Sequence, residues 1–256
     1  MLRIVHAADL HLPKNRNEDL HGFKPYPSVK KGIEYLKRLT PGCDLIIFGG
    51  DIIRNPGNGD YREVFSLFQE INVPMHAVMG NHDDLQAYSD DPFSEIPQNF
   101  QGYYRFQFHG FSCIILNTKV PGEESGFLGS DQVFWMENEL GDIPEGKCLI
   151  FMHHPPVPCG VPWLDKISLQ NKEEFWSRAV RFRNKIRGVF VSHIHMQMTS
   201  LYHGIPVASC PSMCCQFSSA GDAYRAAFSS EQPGFNVIDV DEINLRICTC
   251  RYETGY

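Results

Sequence analysis

Five short blocks punctuate the chain: Asp9-Leu10-His11, Gly50-Asp51, Gly80-Asn81-His82-Asp83, His153-His154 and Ser192-His193-Ile194-His195. They offer two carboxylates, one amide oxygen and four imidazoles as metal ligands, namely Asp9, His11, Asp51, Asn81, His153, His193 and His195. That donor mix suits Fe, Mn, Zn or Co, whereas calcium or magnesium would call for a site dominated by oxygen. A carboxylate can share its oxygens between two cations where an imidazole cannot, so Asp51 is the natural bridge of a two-ion centre. Side chains two apart in extended backbone face the same way. This is the arrangement expected for Asp9 with His11 and for His193 with His195. Two divalent or trivalent ions about 3.5 to 4 Å apart activate a water between them and clamp phosphoryl oxygens, which favours in-line displacement at phosphorus. Phosphate ester hydrolysis is the reaction that fits. His82, adjacent to Asn81, is placed to protonate a leaving alkoxide, which makes His82, Asp51 and Asn81 the catalytic candidates.

Something must bring these blocks together, and the apolar pattern supplies it. Short runs rich in β-branched residues alternate with stretches of helical period, as strands crossed over by helices do. Leu2 to His6, Asp44 to Phe48 and Met75 to Val78 read as strands, and the first three blocks each begin just past one of them. Ligands at successive strand ends are what open α/β sheets present. Helices are expected over Pro27 to Leu39, around Val64 to Ile71, from about Asp131 to Leu140 and over Glu173 to Phe182. Further strands are expected over Tyr103 to Phe108, Phe111 to Asn117, Cys148 to Met152 and Gly188 to Val191. Ile205 to Cys210, Phe235 to Val240 and Ile243 to Cys250 read as strands of a second sheet. The stretches 88–102 and 155–170 read as long irregular loops, which often shape a site. No linker or internal repeat divides the 256 residues, so a single domain over 1–256 is expected.

Composition narrows the partners. The formal net charge is −7, with 23 Lys and Arg against 30 Asp and Glu, and nothing basic clusters, which argues against a nucleic-acid partner. An acidic surface does not repel a small anionic substrate when bound cations dominate the local field. The first residues turn polar too soon for a secretory signal, and no apolar run approaches a membrane span, so a cytoplasmic protein is expected. The nine cysteines form an odd set with no repeated Cys-x-x-Cys pair and read as reduced, mostly buried small side chains, rather than a thiolate metal cluster drawn from Cys210, Cys214, Cys215, Cys248 and Cys250. His6, His21, His76, His109 and His203 match no block and read as core or surface residues. His154 has two readings, a donor to a carbonyl behind the ligands or a contact to substrate. The faces Val64 to Ile71 and Phe134 to Leu140 read as core, and Arg178 to Arg187 as a solvated basic face.

The five blocks in this order resemble the calcineurin-like metallophosphoesterases, whose pattern is Asp-x-His, Gly-Asp, Gly-Asn-His-Asp/Glu, His and Gly-His-x-His. His153-His154-Pro155-Pro156-Val157-Pro158, Pro162-Trp163-Leu164-Asp165 and Cys214-Cys215-Gln216-Phe217, with Val120-Pro121-Gly122 and Gln132-x-x-Trp135 upstream, are similar to the bacterial class III 3′,5′-cyclic nucleotide phosphodiesterases. The similarity runs from Ile4 to about Phe235. It implies an α/β fold, a four-layer α/β/β/α sandwich of two mixed sheets flanked by helices. It assigns Asp9, His11, Asp51 and His195 to a first metal and Asp51, Asn81, His153 and His193 to a second, with His11, Asp51, Asn81, His82 and His195 lining the phosphate. The implied reaction opens cyclic AMP to the 5′-monophosphate, and relatives imply a homodimer. A broader enzyme acting on glycerophosphodiesters or other small diesters is the alternative. DNA exonuclease activity is disfavoured by charge, and a ligand-depleted scaffold by the complete ligand set. Trp163 and Leu164 are core residues by composition and a loop near the site or a subunit contact by resemblance. The chain departs from the family pattern at Ser192, where a glycine is usual, and at Asn117, where an aspartate is common; neither is a primary ligand.

Overall fold

The structure is a computed structural model that describes residues 1–39, 42–55, 61–89, 102–220 and 225–255. The first half alternates strand and helix: β1 (Leu2–Ala7), α1 (Pro25–Leu39), β2 (Leu45–Phe48), α2 (Tyr61–Phe68), β3 (Met75–Ala77) and α3 (Leu85–Ser89). The second half runs β4 (Tyr104–Phe108), β5 (Phe111–Ile115), α4 (Ser130–Asp142), β6 (Cys148–Phe151), α5 (Pro162–Ile167), α6 (Lys172–Ala179), β7 (Ile186–Val191), β8 (Thr199–Tyr202) and β9 (Ile205–Ser209). A two-stranded ribbon, β10 (Gln216–Phe217) with β11 (Phe228–Ser229), precedes β12 (Gly234–Val240) and β13 (Leu245–Arg251).

The strands form two mixed sheets, one ordered β13-β12-β1-β2-β3 and the other β4-β5-β6-β7-β9-β8. In the first, β1, β2 and β3 are parallel, and in the second β5, β6, β7 and β9 are. Three apolar layers hold the stack. Val29, Ile33 and Leu36 of α1 and Val64, Phe65 and Phe68 of α2 cover the outer face of the first sheet. Leu2, Ile4, Leu45 and Ile47 meet Cys113, Ile115, Phe151 and Phe190 between the sheets. Val133, Met136 and Leu140 of α4 and Phe175 and Trp176 of α6 cover the far face. These layers make the α/β/β/α sandwich.

Four expectations need correction. The last strands do not form a sheet of their own. β9 joins the second sheet beside β7, while β12 pairs antiparallel with β1 in register Leu2↔Val240 and carries β13 to the edge of the first sheet. The first sheet is thus completed by residues distant in sequence, which local patterning does not encode. The stretch 155–170 contains α5, whose Pro162 opens the helix. Phe134 is 65% exposed, because Val133, Met136 and Leu140 carry the buried stripe of α4 and Phe134 lies off it. The basic run is not simply solvated: Arg178 and Arg181 both pair with Glu137 of α4, and Lys185 donates to the Leu140 and Gly141 carbonyls at the end of that helix. Part of the other predicted loop, residues 90–101, lies outside the described residues.

His76 on β3 stacks face to face on Phe106 of β4, with centroids 3.6 Å apart, and its Nδ1 is 3.2 Å from the Tyr104 hydroxyl. Burial lowers its pKa from 6.5 to about 4. The unfolded chain therefore binds this proton near 6.5 and the folded chain only near 4, so the stabilisation is complete above 6.5 and declines as the pH falls across that interval. In denaturant titrations at pH 7 and 4.5, His76→Phe should shrink the pH-dependent loss of unfolding free energy by roughly 2 kcal/mol. An identical loss in both proteins would contradict this.

Candidate metal centre

Every block lies past the carboxyl end of a parallel strand: Asp9 and His11 after β1, Asp51 after β2, Asn81 to Asp83 after β3, His153 after β6, and His193 and His195 after β7. Backbone bonds zip the loops together. Asp9 N–H donates to the Gly50 carbonyl (3.0 Å), His11 N–H to Asp51 (2.9 Å), and Ser192 N–H to His153 (2.9 Å). The segment after β9 ties the two sheets: Met213 N–H donates to the Ala8 carbonyl, and the Ser212 hydroxyl to Asp9. Two glycines permit the approach. Gly50 has φ +99°, and a Cβ on Gly80 would lie 2.2 Å from Asp51 Oδ1.

The extended arrangement expected of the paired ligands is not what positions them. Asp9 (φ 52°), His11 (47°), Asp51 (51°), His193 (70°) and His195 (48°) all adopt the left-handed conformation. A left-handed residue turns the chain sharply, so ligands converge from tight turns instead of from straight strand ends. The i, i+2 spacing still pairs them; the backbone that achieves it is different.

The predicted ligand atoms do meet. His11 Nε2 lies 3.7 Å from Asp51 Oδ2 and 3.0 Å from His195 Nε2, and His195 Nε2 is 3.6 Å from Asp9 Oδ1. On the other side, His153 Nε2 is 3.4 Å from Asp51 Oδ2 and 3.2 Å from Asn81 Oδ1. The His153 ring lies 5.1 Å from that of His193. Tautomers follow from the partners, since a carbonyl can only accept. His153 Nδ1–H donates to Gly49 O (2.8 Å) and His195 Nδ1–H to Cys215 O (2.9 Å), which leaves each neutral ring an Nε2 lone pair aimed inward. Both oxygens of Asp9 and Nε2 of His193 are buried without a hydrogen-bond partner among the described residues. Converging lone pairs and orphaned buried acceptors are what a cation satisfies. Two such groups sharing Asp51 are suited to a dinuclear centre, which is the cofactor expected from the ligand types.

Electrostatics agree. Burial pushes the Asp9 carboxyl up and the His11 and His193 imidazoles down. Burial also opposes charge on Asp51, but the imidazoles of His153, His82 and His11 outweigh it and hold that carboxyl well below its usual range. Against the same burial, Asp51 raises His153 to about 9 and Asp9 raises His195 to about 9. Buried carboxylates thus draw in whatever positive charge is at hand.

Several neighbours resolve open readings. His154 shares a 4.8 Å donor-atom group with His153 and His193, yet both of its nitrogens are engaged. Nε2–H donates to the Glu124 carbonyl (3.0 Å), and Nδ1 accepts from the Thr118 hydroxyl (2.7 Å). His154 therefore supports the centre from behind. His82 Nδ1–H donates to the Arg54 carbonyl (2.6 Å), leaving Nε2 for the cleft. The Ser192 hydroxyl is 3.4 Å from His6 Nε2, and Asn117 Oδ1 accepts from Lys119 N–H. Asp83, which ends the third block, is buried. Its carboxylate accepts from Ile52, Ile53 and Gly80 N–H and from the Tyr61 hydroxyl, bracing the Asp51 loop against the Asn81 loop.

Over the centre opens a cleft of about 390 Å³ lined by His11, Asp51, Asn81, His82, His193 and His195, with Trp163, Phe217 and Phe228 beyond them. Trp163 thus lines the site, while Leu164 is fully buried. His21, unassigned by motif, also lines the cleft, as do Leu20 and Ile167. No motif marked these outer residues, because they come together only in the fold. All nine cysteines are free, six of them buried, and among the described residues none joins a group placed to hold a metal. No helix among the described residues is long and apolar enough to cross a membrane.

Comparison with known proteins agrees with this geometry. The chain is 28% identical over 220 residues to the 3′,5′-cyclic adenosine monophosphate phosphodiesterase CpdA of Escherichia coli (strain K12), covering 84% of this chain and 78% of that one. It is 25% identical over 242 residues to an Arcobacter nitrofigilis protein named "Probable glycerophosphodiester phosphodiesterase GpdQ", covering 90% and 85%. In fold it is similar to a dimetal phosphatase from Danio rerio, with a TM-score of 0.66 at 13% identity over 98% of this chain and 99% of that one. The model of the calcineurin-like phosphoesterase family matches residues 2–197, which bears out the resemblance carried by the five blocks. The strand-end ligands, the four-layer sandwich and that match together place the chain in the calcineurin-like phosphoesterase family.

Proposed function

We propose that the protein is a two-metal phosphodiesterase that opens 3′,5′-cyclic nucleotides, cyclic AMP foremost, to 5′-monophosphates. The observation that carries the reading is the convergence of seven ligand residues, Asp51 among them, with the Asp9 oxygens and His193 Nε2 otherwise orphaned. Asp9, His11, Asp51 and His195 would hold one ion, and Asp51, Asn81, His153 and His193 the other. Bound there, Fe, Mn, Zn or Co would supply neutralising charge for the phosphoryl oxygens and a water acidified enough to attack at neutral pH. The chain does the rest. His11, Asp51, Asn81, His82 and His195 line the cleft and orient the phosphate. His82, held by Arg54 through Nδ1, turns Nε2 to the cleft, where the imidazolium form of the ring would give the leaving alkoxide its proton and return to neutral. Lys119 Nζ donates to the Asn81 carbonyl (2.5 Å), steadying the loop that bears both Asn81 and His82.

A second reading, a broader diesterase that takes glycerophosphodiesters, is favoured by the similarity to the Arcobacter protein. The two separate on specificity constants: cyclic AMP should exceed glycerophosphodiesters and bis(p-nitrophenyl) phosphate for the first, and equal or fall below them for the second. Manganese-loaded protein should hydrolyse cyclic AMP, and Asn81→Ala should lose most of that rate. An Asn81→Ala enzyme as fast as wild type would refute the second ligand set. A cytoplasmic location, one functional domain over residues 1–256 and a homodimer belong to the same reading, the last checked by sedimentation.

A further inference from the structure

The centre accounts for the inner half of the cleft only. Outward from it runs a continuous aromatic wall. Phe217 lies almost parallel to the His195 ring, with centroids 4.4 Å apart and 20° between planes. Trp163 meets Phe217 edge-on at 4.9 Å, Phe228 follows at 5.5 Å, and His21 lies 5.1 Å beyond Phe228. Three separate elements supply these rings. Trp163 stands on α5, while Phe217 and Phe228 are cross-strand partners in the β10–β11 ribbon. Strands of two residues add few backbone bonds, so the aromatic pair is a main reason for this ribbon to form where it does. Trp163, Phe217 and Phe228 are each half-buried, so each packs on its neighbours and keeps surface facing the cleft.

We infer that this outer half is a stacking platform for a planar heterocycle, with Trp163, Phe217 and Phe228 as the specificity-determining residues. The inference rests on the proposed function only in taking the phosphate to sit at the centre. From that position the remainder of a ligand extends along the wall, within a cleft of about 390 Å³, inside the range of small-molecule sites. A flat base gains dispersion and quadrupole contact with ring faces whatever its edge pattern. A glycerol moiety has no flat face to offer Phe217 and Phe228 and gains none of this stacking contact. The platform therefore discriminates nucleotides from base-free phosphodiesters by binding. Because Phe217 also stacks on His195, the platform and the centre share one ring.

The test compares 5′-AMP with ribose 5-phosphate by isothermal titration of the manganese-loaded protein. Wild type should bind 5′-AMP at least about tenfold more tightly, and Phe228→Leu and Trp163→Leu should each weaken 5′-AMP by about tenfold while leaving ribose 5-phosphate unchanged. The two variants sit on different elements, so misfolding of one, checked by circular dichroism, leaves the other to decide. Equal affinity for the two ligands in wild type, or equal loss of both in the folded variants, overturns the platform. A protein that keeps the tenfold preference but leaves cyclic AMP intact refutes the proposed reaction and retains the platform; hydrolysis of cyclic AMP without the preference does the reverse.

Discussion

Asp51→Asn is expected to reduce metal content from two ions per chain to one or none and hydrolysis by about a thousandfold, since several kcal/mol of charge stabilisation are lost at about 1.4 kcal/mol per tenfold. The change is nearly isosteric. An amide oxygen can still accept from His82 N–H, as Asp51 Oδ1 does at 2.9 Å. What it cannot do is present a second oxygen where Oδ2 faces both His11 and His153; an NH₂ group would point at two imidazole lone pairs instead. Because a buried carboxylate also becomes neutral, the fold should survive, and circular dichroism should be unchanged. Elemental analysis together with diester turnover reads the outcome. Two ions retained and a rate within tenfold of wild type would show that Asp51 does not join the two ligand groups.

The second large effect is on architecture. Asp83→Ala removes the acceptor of Ile52, Ile53 and Gly80 N–H in a site from which water is excluded. Leaving buried donors unmatched should lower unfolding free energy by about 3 kcal/mol or more. Activity should fall as well, because the carboxylate joins the turn bearing Asp51 to the turn bearing Asn81. Asp83→Asn restores one acceptor oxygen and should recover part of both losses. Denaturant melts and turnover on the three proteins check this, and an alanine variant within about 1 kcal/mol of wild type, with full activity, would show that the bracing is dispensable.

How far the molecule was legible depended on whether a feature is local. Strand positions and their terminal ligands were readable because a β-branched run followed by Gly-Asp or Gly-Asn-His-Asp is a local pattern, and the fold brings Asp9, His11, Asp51, Asn81, His153, His193 and His195 together. The placement of β12 and β13 was not, since pairing with β1 spans more than two hundred residues and periodicity carries no partner. Phe134 shows the limit of hydrophobicity alone: one helical position off the buried stripe suffices to expose it. Asp83 was visible as a motif residue, but its bracing role depends on backbone donors that no sequence pattern displays. Trp163 and Phe217 lie in segments similar to a known family, whereas Phe228 and His21 carry no sequence signal, because their meaning lies in ring contacts across elements.

The positive φ angles of Asp9, His11, Asp51, His193 and His195 set stability against chemistry at the same five positions. Glycine would relax each of these turns and relieve a cost on the order of 1 kcal/mol per residue, yet glycine has nothing with which to bind an ion. Selection for thermal resistance of the metal-free chain alone would therefore drift toward glycine there and erase the centre. At these five positions the chain carries a donor side chain where the backbone by itself would favour glycine.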